Sequence, residues 1–118
     1  MLTLTASQVA QMSDLHFEHR LIKVISEVDP TAADALSSPE GLVMLRLQCQ
    51  RARSFGMDTE LDISRYVVTA WLMGPDFHRR FSAMAEVLAS DRLTPTRKAD
   101  AIERISTAVL FELRQGRA

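Results

Sequence analysis

Residues 58–75 read Asp58-Thr59-Glu60-Leu61-Asp62-Ile63-Ser64-Arg65-Tyr66-Val67-Val68-Thr69-Ala70-Trp71-Leu72-Met73-Gly74-Pro75. A capping side chain, Asp58 or Thr59, is followed by acids in the first turn, where they complement the helix dipole. An apolar segment then runs to Met73, and Gly74-Pro75 stops it. A helix apolar on most sides towards its end predicts a central position, covered by neighbours on more than one face.

The same punctuation recurs on either side. Upstream, Ser38-Pro39-Glu40 is an N-cap, a proline at the first helical position and a first-turn acid. Leu42, Leu45, Cys49 and Ala52, flanked by Val43 and Phe55, form the predicted buried face of that helix. Arg46, Gln48, Gln50, Arg51 and Arg53 lie outside it, and Gly56 takes the left-handed closing position. Earlier still, Thr5-x-x-Gln8 reads as a capping box for a helix ending near Val28, before Pro30. Val9, Met12, Leu15, Ile22, Ile25 and Val28 make its stripe, widened by Leu21. Thr31 and Asp34 offer caps for one further turn, Ala32 to Leu36.

Downstream, Pro75 opens a helix with Phe77, Phe81, Met84, Val87 and Leu88 inward. Thr94-Pro95 opens the last one, with Ile102, Ile105, Val109 and Leu113 inward and Gly116 after its end. No segment alternates apolar and polar residues as a half-buried strand does. The 118 residues, with only four glycines and four prolines, therefore predict an all-α protein. The expected form is a single domain, 1–118, folded as one compact bundle of five longer helices, plus a short sixth if the turn at Ala32 forms.

Net charge is −1, so no overall basic field recruits nucleic acid or an anionic membrane. The single cysteine, Cys49, excludes an internal disulfide framework. The N-terminal stretch lacks a basic n-region and an apolar h-region, and no run approaches the ~20 apolar residues of a membrane span. The expected location is the cytoplasm.

Candidate chemistry is sparse. His16 and His19 share a helix face, but the HExxH pattern needs histidines four apart with Glu after the first, and Glu18 is misplaced for it. Cys49 lies on an apolar stripe, the setting of core thiols rather than nucleophiles. The phosphate-cradling patterns GxGxxG and GxxxxGK[ST] and the GxSxG elbow are absent. No enzyme activity, metal or cofactor is expected. Gln48 to Trp71 imitates a helix-turn-helix, yet its second helix opens with Glu60 and Asp62, which would face a polyanion. DNA binding is disfavoured. What remains is an interaction surface, with two cationic clusters as candidates: Arg46, Arg51 and Arg53, and the run Phe77-His78-Arg79-Arg80.

The segment Arg51-Ala52-x-x-Phe55-Gly56-x-x-x-Glu60-x-Asp62-x-x-x-Tyr66, followed by Met73-Gly74-Pro75-x-Phe77 and Leu93-Thr94-x-x-x-Lys98, carries a resemblance. It resembles small helical proteins encoded beside type VI secretion spike proteins, their effectors and effector-loading chaperones. The resemblance covers residues 17–105 and departs from that pattern at Phe55, where Tyr is expected, and at His78, where an acid is common. It implies a non-enzymatic accessory factor, an effector-associated chaperone or co-chaperone, and carries over no catalytic residue. The alternative class is an immunity protein that blocks a cognate toxin, and the third is a transcriptional regulator. Self-association as a homodimer is compatible with the six methionines and exposed arginines.

Overall fold

Hydroxyl side chains cap the starts of three helices, α3 (Pro39–Ser54), α4 (Glu60–Met73) and α7 (Pro95–Arg114). In the computed structural model, which describes residues 6–116 and their side chains from Leu15 on, seven helices follow one another. They are α1 (Ala6–Val28), α2 (Ala32–Ser37), α3 (Pro39–Ser54), α4 (Glu60–Met73), α5 (Phe77–Arg80), α6 (Ser82–Ala89) and α7 (Pro95–Arg114). Five have eight residues or more, and among the described residues there is no strand, so the chain is all-α as its periodicity predicts. No described helix is long and apolar enough to cross a membrane. The residues group into two compact units, Met1–Leu42 and Val43–Ala118, and α3 begins in the first and continues into the second.

In the first unit α1 packs on α2. The expected capping box at Thr5 and the stripe positions Val9 and Met12 lie outside the described side chains. From Leu15 on, the buried stripe is Phe17, Leu21 and Ile25, whereas Leu15 and Val28 are half exposed. Leu21 and Ile25 are buried as expected, but Phe17 rather than Leu15 or Val28 completes the stripe: Phe17-Leu21-Ile25 is an unbroken four-residue repeat, and burying a phenylalanine removes more apolar surface than burying a valine. Asp29, not Thr31, organises the turn into α2. Its Oδ1 accepts from the Thr31 hydroxyl (2.8 Å) and the Thr31 N–H (3.1 Å), and Thr31 makes no cap bond.

Ser38 caps α3 as expected, accepting from the Gly41 N–H at 3.0 Å while its hydroxyl donates to the Ala35 carbonyl at 2.8 Å. The same corner explains Gly41, whose role is invisible in the sequence. A Cβ there would collide with the Ala35 carbonyl oxygen and stand 2.8 Å from the Leu36 Cα. The end of α2 and the start of α3 meet backbone to backbone.

In the second unit the most extensive pairing is α4 with α7. Thr59 caps α4 by accepting from the Asp62 N–H (3.2 Å), and Thr94 caps α7 by accepting from the Arg97 N–H (3.2 Å). Asp62 is buried, and its carboxylate accepts from the Thr96 hydroxyl at 2.7 Å, joining the starts of the two helices. Further along, Arg65 reaches from α4 to Asp100 (2.6 Å) and Glu103 (3.0 Å) of α7. Gly56 has the expected positive φ, +89°, and a Cβ there would lie 3.2 Å from the Pro95 ring.

Three expectations need correction here. The helix predicted from Pro75 to Leu88 is broken: Gly74-Pro75-Asp76 is a turn, and Phe81, at φ −110° and ψ 111°, separates α5 from α6. Gln48, assigned to the outer face of α3, is buried. Val43 and Leu113, assigned to or beside inner faces, are 63% and 54% exposed.

Candidate functional site

The two cationic clusters of the sequence do not stay as two. Positions 46 and 53 are seven apart and share one exposed face of α3, while position 51 lies roughly 150° round the helix from both. Arg51 therefore leaves that group and turns to the corner between α4 and α5. Its Nη1 donates to the Pro75 carbonyl at 2.7 Å and lies 3.6 Å from Asp76 Oδ1. Gln48, one turn earlier, donates from Nε2 to the same carbonyl at 3.1 Å. A proline carbonyl that ends a turn is open to side chains because no helical N–H claims it.

Arg79 and Arg80 complete the corner. Arg79 Nη2 is 3.2 Å from Asp76 Oδ1, so this one carboxylate serves two guanidiniums. Arg80 is exposed, and its Nη1 would lie 3.8 Å from a Cβ at Gly74. Gly74, at φ +108°, provides the sharp exit from α4, and its N–H donates to the Ala70 carbonyl at 2.9 Å.

Beneath the charges lies an aromatic stack. Phe77 is completely buried, its ring 4.9 Å from Tyr66, and Phe55 is 5.9 Å from Tyr66 on the other side. His78 sits against both phenylalanines, with ring centroids 6.3 Å from each. Of the expected surface residues, then, Arg51, His78, Arg79 and Arg80 come together. Arg46 and Arg53 remain exposed elsewhere on α3, and Phe77 anchors the corner from inside.

Comparison with known proteins gives no match: no family profile, no curated protein and no solved structure is similar to this chain. The corner must be read from its own chemistry.

Burial pushes the Tyr66 hydroxyl up to about 12, against a smaller opposing pull from Arg51, so it stays protonated at neutral pH. Burial, then Arg51 and Arg79, lower the His78 pKa from its ordinary 6.5, with Asp76 opposing. Cys49 is buried, and among the described residues no three His, Cys, Asp or Glu side chains converge as metal ligands. A second surface, an open groove of about 670 Å³ beside α7, is lined by Arg65, Asp100, Glu103, Arg104, Phe111 and Glu112 among others and carries both signs of charge.

Sequence reasoning missed Gln48, Tyr66 and Asp76. A signal for Gln48 existed: Leu45, Gln48, Ala52 and Phe55 follow the three-and-four spacing of a buried stripe. The polarity of glutamine hid it.

Tyr66 supplies a direct test of the stack. Its hydroxyl is buried without a hydrogen-bond partner, an arrangement that costs about 1–3 kcal/mol relative to a satisfied group. Tyr66→Phe keeps the ring and removes the orphan, so its thermal midpoint should equal or exceed that of the wild type. A fall of several degrees in calorimetry would show that the hydroxyl is held by something stabilising.

Proposed function

We propose that this protein is a non-enzymatic accessory factor that binds another protein through the arginine corner at Gly74–Arg80. The observation that supports this reading is the gathering of Arg51, Arg79 and Arg80 around one turn with a single carboxylate, Asp76, shared between two of them. Guanidinium groups are over-represented at interfaces because the planar fork pairs with carboxylates and backbone carbonyls and also stacks on rings. Here the backbone of the corner is held on a buried aromatic base, so little backbone ordering is required when a partner docks.

The sequence resemblance supplies the partner class: a type VI secretion effector or its loading chaperone, held in the cytoplasm until loading. Arg79 and Arg80 are the residues to change, because both are exposed while Arg51 also supports the turn. Affinity capture from the native cell, with washes at rising salt and identification by mass spectrometry, should recover such a partner. Arg79→Glu with Arg80→Glu should weaken its binding at least about tenfold, or about 1.4 kcal/mol. Unchanged affinity in the double variant would remove the corner from the interface. Recovery of the bait alone would remove the accessory role.

A further inference from the structure

His16 and His19 are exposed on α1, but the third histidine, His78, is built into a junction. Its ring stands edge-on to Phe77, at 81° between planes, and tilted against Phe55 at 60°. Its Nδ1 is buried and has no hydrogen-bond partner. The charges acting on it are unbalanced. Arg51 comes from α3 and Arg79 from its own helix, and among the described residues Asp76, already shared by those two, is the only acid acting on it. Tyr66, on α4, remains neutral, and α6, which packs on α5, contributes no charge that acts on it among the described residues.

We propose that His78 is a proton-operated catch, which closes the corner between α3, α4 and α5 when neutral and loosens α5 when protonated. In the doubly protonated ring Nδ1 necessarily carries an N–H, a donor without an acceptor, and the imidazolium adds a third cation beside two guanidiniums that already share one carboxylate. A buried unpaired donor is costly, and like charges held close together repel one another. The lowered pKa of His78 fixes the direction: the unfolded chain binds this proton more readily than the folded one, so stability rises with pH across the titration. The contribution is fully present above the unfolded value of 6.5 and is lost as pH falls through the lower folded value. This inference does not depend on what the corner binds.

The test uses the full chain. The imidazole signals of the three histidines are followed by NMR from about pH 8 to about pH 5, and thermal midpoints of wild type and His78→Phe are compared at about pH 7.5 and about pH 5.5. His78→Phe keeps a flat ring against Phe55 and Phe77 but cannot take up a proton. The expected result is that His78 titrates below 6.5 and that backbone amides of residues 74–81 shift along the same curve. On acidification the wild-type midpoint should fall further than that of the variant. Equal falls in the two proteins would overturn the proposal. If His78→Phe does not fold, the wild-type titration decides alone: a His78 curve at or above 6.5, or amides at 74–81 that ignore it, overturns the catch.

Discussion

Phe77→Ala is expected to lower the thermal midpoint by roughly 10–20 °C, from a loss of about 3–5 kcal/mol. The ring is wholly inaccessible to solvent, packed 4.9 Å from Tyr66 and edge-on to His78, so truncation leaves a cavity bounded by other rings. Rings cannot collapse inward as flexible methionine side chains do, and poor relaxation sets the cost near the top of the range for such changes. Phe77→Leu, which fills more of the space, should lose less than half as much. The effect should also reach the surface, because Phe77 fixes the short helix that carries Arg79 and Arg80. Calorimetry of both variants checks this, and a fall of only two or three degrees for the alanine would mean that the aromatic base does not hold the corner.

Gly41→Ala sets two effects against each other. Alanine is the better helix former by about 1 kcal/mol, and on an open helix this substitution would stabilise. Here the new Cβ meets the Ala35 carbonyl oxygen and the Leu36 Cα, backbone atoms that cannot rotate aside. Relief requires α2 to move off the first turn of α3, which breaks the bonds Ser38 makes to Ala35 and Gly41. Overpacking of this kind costs about 3 kcal/mol at the upper end of its range, leaving a net loss of about 2 kcal/mol. Faster amide exchange in Ala32–Ser37 should accompany the lower midpoint. A variant as stable as the wild type would show that the two helices do not meet there.

What could be read in advance follows from the kind of physics involved. Helix ends announced by Ser38, Thr59, Gly74 and Thr94 were legible because capping is local, satisfied within three or four residues of the signal. The all-α class followed from the helical periodicity between those ends and from the lack of strand-like alternation. In α1, Leu21 and Ile25 were legible but Phe17 was not, because apolar residues occur on more than one of its faces and only tertiary packing selects among them. The break at Phe81 left no mark either, since phenylalanine is as acceptable in a helix as in the extended conformation it takes. At the corner, His78, Arg79 and Arg80 stood out by type. The capture of Arg51 by the Pro75 carbonyl joins residues 24 apart, and no local pattern encodes such a bond. The same holds for Asp62, which reads as a dipole-matching acid at a helix start but is buried and bonded to Thr96, 34 residues away.

The α4–α7 pairing also has a consequence for biosynthesis. The apolar face of α4 is complete once Met73 has been added, yet the helix that covers it ends at Arg114, 41 residues later. A chain released before Pro95 has been added would leave uncovered the face of α4 on which α7 packs, a ready substrate for holdases and quality-control proteases.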